Sequence, residues 1–151
     1  MVFDKIRTLF KGGAPAEPDA DADDGSLAVA ALLVEAARAD ESYDDAERAI
    51  IDQALQARYD LPIEDARALR AKAETAQADA VDLHRFTKLA KQMSVEDKTR
   101  LVETMWRITL SDGARDQFED ALIRRICGLI YLDDRASGEA RQRIEAEIAR
   151  R

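Results

Sequence analysis

One acidic pattern occurs twice. Asp40, Asp44 and Glu47 stand in the order D-x-x-x-D-x-x-E, and Asp112, Asp116 and Glu119 repeat it 72 residues later. The flanks keep the interval, with Ala49 over Ala121, Ile51 over Ile123 and Tyr59 over Tyr131. An apolar run at helical spacing precedes each copy and another follows it. Self-similarity at a fixed interval is the signature of a repeated supersecondary unit. The chain is therefore expected to hold two pseudo-symmetric helix–acidic loop–helix units in one bundle-like domain.

The runs around the pattern set the fold class. Residues 27–39, LAVAALLVEAARA, are apolar almost all round, which marks a central buried helix, with Ser26 as its expected N-cap. Asp44 sits where an N-cap should and Glu47 three residues later, a capping box. It opens a helix to about Tyr59, whose inward stripe is read as Ala46, Ile50 and Ala54, with Ile51 and Leu55 beside them. Pro62 suits the first turn of a third helix, over about 62–77. Residues 81–92 give a fourth, with Leu83, Phe86 and Ala90 inward and His84, Lys88 and Lys91 on a solvated face. Ser94 opens a fifth, which should bury Leu101, Val102, Met105, Trp106 and Ile108. A helix over about 116–131 follows the second acidic loop, with Phe118, Leu122, Ile126 and Ile130 on one stripe. Residues 133–138 read as a break, and 139–151 as a peripheral last helix. No strand-like alternation occurs, so the expected fold is all-α with about seven helices.

The ends divide differently. Residues 1–11, MVFDKIRTLFK, place Phe3, Ile6, Leu9 and Phe10 at helical spacing beside Lys5, Arg7 and Lys11. Such a basic amphipathic segment suits an anionic membrane surface or a partner groove. Residues 12–25 carry Gly, Pro and five acids with no large apolar side chain, so they are expected to be a linker. Residues 26–151 form the expected helical domain.

Charge and composition narrow the chemistry. The net charge of −8 argues against nucleic acid as a main partner, because phosphate binding needs a basic face. One cysteine, Cys127, and one histidine, His84, cannot build a Cys/His zinc site or a His-rich hydrolase centre. A lone cysteine also makes a reducing, cytoplasmic setting the default. No apolar run reaches transmembrane length, and residues 1–9 lack the pattern of a signal peptide.

Each acidic loop brings three carboxylates to a helix–helix junction. Hard cations such as Ca²⁺ and Mg²⁺ take oxygen ligands of this kind. The spacing is not that of an EF-hand, which needs a Gly at its sixth position; counted from Asp112 that position is Gln117. Capping alone also accounts for Asp44 with Glu47 and Asp116 with Glu119, and Asx-turns for Asp40 and Asp112. Two readings stay open at this point: a cation-binding module, and a metal-free interaction domain whose acids cap helices. A carboxylate-metal hydrolase is the enzymatic alternative, and it would need a water-activating pocket.

The segments around Asp40–Glu47 and Trp106–Glu119, together with 81–86 and 122–126, resemble the two motifs of the TerB-like family, the tellurite-resistance protein B group. The resemblance covers about residues 26–135. It implies an all-helical domain with pseudo-twofold halves; the sequence itself offers no nucleophile–base pair, so no catalytic residue is expected. It also implies divalent-metal binding through Asp40, Asp44, Glu47, Asp112, Asp116 and Glu119. The family's roles in tellurite and stress resistance imply protein partners, in membrane-associated or co-chaperone-like assemblies. The first loop departs from the family pattern, with Glu41 where a Gly is usual.

Overall fold

Helix α1 (Glu17–Arg38) is the axis on which most of the other described elements pack. From Ala28 to Ala37 it is buried at every position except Glu35. Small side chains make this possible: alanine alternating with Leu and Val lets helices approach closely on all sides. Around it lie α2 (Asp45–Tyr59), α3 (Ile63–Asp79), α4 (His84–Ala90), α5 (Val95–Leu110), α6 (Gln117–Ile130) and α7 (Asp134–Ala149). The structure is a computed structural model that describes residues 17–39, 42–111 and 117–150, with the backbone alone for 17–23 and 117–119. All described elements are helices, so the fold is all-α.

α1 packs on α3, α4 and α5, and α5 in turn packs on α7. The burial of α5 follows its sequence pattern. Leu101, Val102, Met105, Trp106 and Ile108 are all buried. The positions 72 residues earlier on α1 are Val29, Ala30, Leu33, Val34 and Ala36, and they are buried too. Helix bounds keep nearly the same interval. α2 starts at Asp45, and α6 is described from Gln117. They end at Tyr59 and Ile130, and α3 and α7 then start at Ile63 and Asp134, each 71 apart. α2 and α6 also end alike. Asp60 and Tyr131 adopt left-handed φ of 56° and 66°. The next amide reaches back across the turn, Leu61 N–H to Gln56 O at 3.3 Å and Leu132 N–H to Cys127 O at 2.9 Å. This satisfies carbonyls at both helix ends.

Three expectations need correction. α1 begins at Glu17, nine residues before Ser26, so part of the stretch read as a linker is helical. An acidic run is weak evidence for a linker at a helix N-terminus, where the dipole favours negative charge and Pro18 fits the first turn. The inward face of α2 is also rotated. Its buried residues are Glu47, Ile51, Asp52 and Leu55, whereas Ala46 is exposed and Ile50 and Ala54 are half-buried. Finally, residues 133–138 are not a break. Asp133 is an N-cap whose Oδ1 accepts from the Ala136 N–H at 2.8 Å, and α7 runs on through Gly138. That helix is not peripheral, since Ser137, Ala140 and Ile144 are buried. Trp106 Nε1 donates to Ser137 Oγ at 3.4 Å, and Arg107 makes a two-pronged bond to Glu147 at 2.8 and 3.0 Å.

Candidate functional site

The first acidic loop joins α1 to α2. Its second half is a capping box: Glu47 N–H donates to Asp44 Oδ1 at 2.9 Å, and Asp44 N–H donates to Glu47 Oε1 at 3.1 Å. Two orphan amides of the helix start are thereby satisfied. The two carboxylates differ in setting, for Glu47 is buried at 4% exposure and Asp44 is exposed.

Tyr43, one residue before the cap, ties this loop to α3. Its hydroxyl donates a short hydrogen bond to Glu74 Oε2. The guanidinium groups of Arg48 and Arg38 lie over its ring, 4.4 and 5.1 Å from the centroid, near enough for cation–π attraction. Glu74 also accepts from Arg70 Nη1 at 2.9 Å. Arg70 grips the buried Asp52 of α2 with two bonds, Nε to Oδ1 at 2.6 Å and Nη2 to Oδ2 at 3.3 Å. Arg38 donates to the Glu74 carbonyl at 3.2 Å and to Gln77 Oε1 at 2.5 Å, and Gln77 donates to Glu35 Oε1 at 2.7 Å. One continuous polar network thus joins α1, the loop, α2 and α3.

The titration of these groups reflects their packing. Burial pushes the Tyr43 phenol up, and the bond to Glu74 and its negative charge push it further. Burial acts to raise Glu74 as well. There the hydrogen bonds from Tyr43 and Arg70, with the charges of Arg70 and Arg38, outweigh it and hold the carboxyl below its ordinary value. The bond to Asp52 raises the Arg70 guanidinium despite the opposing effect of burial.

Of the six predicted acids, Asp44 and Glu47 are brought together on one turn. Asp40, Asp112 and Asp116 lie outside the described residues, and only the backbone of Glu119 is described, in the first turn of α6. Residues 1–11 and their expected membrane or partner contact also lie outside them. Among the described residues no three Asp, Glu, His or Cys side chains converge to hold a metal ion. Among them too, no helix is long and apolar enough to cross a membrane. Sequence reading missed Tyr43, Asp52, Arg70 and Glu74. One signal was present: Arg70 and Glu74 are four apart on α3, and Arg141 and Glu145 recur 71 residues later on α7. That second pair also meets, at 3.8 Å.

An all-helical domain with a capped acidic loop pinned beside its central helix is the class these features define. The family model described as tellurite resistance protein TerB matches residues 26–142. The chain belongs to that family. No curated protein and no solved structure matches it.

Proposed function

We propose that this chain is a non-enzymatic helical module of the tellurite-resistance type that binds a divalent cation at its acidic loops and acts by recruiting protein partners. The observation that carries the cation reading is the reciprocal pair Asp44–Glu47. Both carboxylates are held in place by backbone amides, beside a Tyr43 that is itself anchored to α3. At the exposed Asp44 a capping bond uses only part of the carboxylate's capacity, which is about four lone-pair sites. Asp40 would complete the first loop, and Asp112, Asp116 and Glu119 the second, with carbonyls and water filling the shell of a hard ion. The recurrence of helix bounds and buried positions supports reading α1–α2–α3 and α5–α6–α7 as two copies of one three-helix unit.

The absence of nucleophilic chemistry in this reading has a physical basis at Cys127. That side chain is buried, and burial pushes its thiol up, which favours the unreactive protonated form. The same capping bonds favour a second reading, in which the acids only close helix ends and the domain binds partners without metal.

A melting-temperature titration separates the two. A ligand that binds only the folded state stabilises it by about 2.7 kcal/mol at a hundredfold excess over Kd. The cation reading expects melting to rise with Ca²⁺ or Mg²⁺ well beyond its rise in matched monovalent salt. Equal curves in both salts support the caps-only reading.

A further inference from the structure

Tyr131 stands where a helix end favours glycine. It follows the last residue of α6 with φ 66°, a left-handed conformation that a bulky side chain adopts only at a cost. The residue in that conformation at the end of α2 is Asp60, a type that tolerates it better. The Tyr131 ring is nonetheless 74% exposed, so burial does not offset the cost. An exposed ring on a strained backbone points to a use outside the fold.

Its neighbours give that use a chemistry. The Lys91 ammonium, at the end of α4, lies 5.1 Å from the ring centroid, within cation–π range. Lys88 is exposed one turn earlier on α4. α6 packs on α4. On its outward face Arg124 and Gly128 form one row, and Arg125 and Leu129 another, since residues four apart are neighbours on a helix. All four are exposed, Leu129 by 40%. None of the four cations pairs with a carboxylate of the described residues. Arg48, Arg70, Arg107 and Arg143, by contrast, are each held by one. The acids that follow Tyr131 in the chain, Asp133 and Asp134, belong to the start of α7, where Asp133 is engaged by the Ala136 amide. A chain of net charge −8 thus gathers four cations beside two exposed apolar side chains.

We propose that this α4–α6 face docks an acidic segment of a partner protein. Tyr131 and Leu129 receive an apolar side chain of the segment, and Lys88, Lys91, Arg124 and Arg125 receive its flanking carboxylates. The proposal rests on the partner-recruitment reading and not on cation binding. Tyr and Arg are among the side chains that most often carry the energy of a protein interface. The size suits a segment, since Arg124 to Tyr131 covers about 10 Å of helix axis, the length of about three extended residues. An anionic membrane fits less well. It is wider than the molecule and meets the negative charge of the whole chain, whereas a segment touches the patch alone. Two apolar side chains also give little area to insert.

The test follows the backbone amide signals of the full, isotope-enriched chain by NMR. The probe is a capped peptide with a central phenylalanine between pairs of glutamates. Shifts are expected to concentrate in residues 88–91 and 124–132, to saturate, and to weaken in high salt. A peptide with lysines in place of the glutamates should leave the signals unmoved. Arg124→Glu/Arg125→Glu and Tyr131→Gly should each lower the affinity about tenfold or more. Tyr131→Gly should meanwhile melt no lower than the unaltered chain, because glycine takes left-handed φ at little cost. No shifts at millimolar peptide, equal shifts with the lysine peptide, or undiminished binding by Tyr131→Gly overturns the proposal. A lower melting temperature for Tyr131→Gly also overturns it, by making the ring a part of the fold. Saturable shifts confined to another face refute this surface and keep partner recruitment. Shifts of the same residues with phosphatidylserine vesicles and not with peptide reassign the face to lipid, and shifts on dilution of the chain alone reassign it to a second copy; either overturns the proposal.

Discussion

Arg70→Met gives the sharpest stability prediction. Arg70 and Asp52 have side-chain exposures of 15% and 8%, and two hydrogen bonds join them. Methionine fills much of the arginine's volume but leaves the Asp52 carboxylate buried without its cation. Removing one partner of a buried pair costs about 3–5 kcal/mol. Residual solvent access places this case near the low end, at about 3 kcal/mol, or about 6–12 °C of melting temperature for a chain of this size. The double variant Asp52→Leu/Arg70→Met removes both charges, and Glu74 keeps its bond from Tyr43. It should lose less than about 1.5 kcal/mol, because an apolar pair in place of a buried ion pair is often neutral. Urea unfolding with an unchanged m-value reads both numbers. A single-variant loss below about 1 kcal/mol, or a double variant no better than the single, would refute the claim that Arg70 neutralises a buried acid.

Trp106→Ala should cost about 3–5 kcal/mol in urea unfolding, as a large-to-small change at a side chain 5% exposed; a loss under about 1 kcal/mol would place the ring outside the core. In acid, Glu74 sits below its ordinary value in the folded state, so its stabilisation is full above about pH 4.3 and fades as pH falls through that lower folded value. Glu74→Gln should flatten that acid limb, and an unchanged limb would contradict the assignment. In alkali the sign reverses, because the Tyr43 phenol is raised and the unfolded chain ionises first; stability should fall as pH rises above about 10, and Tyr43→Phe should remove part of that fall.

How much was legible in the sequence depended on which force placed each residue. The α5 stripe of Leu101, Met105 and Ile108 could be read because burial there follows the helical period. Asp44 with Glu47 could be read because a cap is a local contact three residues long. Asp52 could not, because its burial depends on Arg70, 18 residues away on another helix, and a lone aspartate reads as surface. The start of α1 was missed because its acids look the same in a linker and in a first helical turn. Ile50 and Ala54 read as inward on their apolarity alone, which does not fix the rotation of α2 about its own axis.

The central claim is that the acidic loops hold a divalent cation, and calorimetric titration of Ca²⁺ and Mg²⁺ tests it most directly. The second loop should be the tighter site. A glycine, which the second loop carries at position 113, takes positive φ at little steric cost, whereas a glutamate, which the first loop carries at position 41, does not. Asp112→Ala/Asp116→Ala should therefore abolish the stronger binding, and Asp40→Ala/Asp44→Ala the weaker. Isotherms of both variants that match the unaltered chain, or no binding heat in any of the three, would contradict the claim and leave these carboxylates as helix caps.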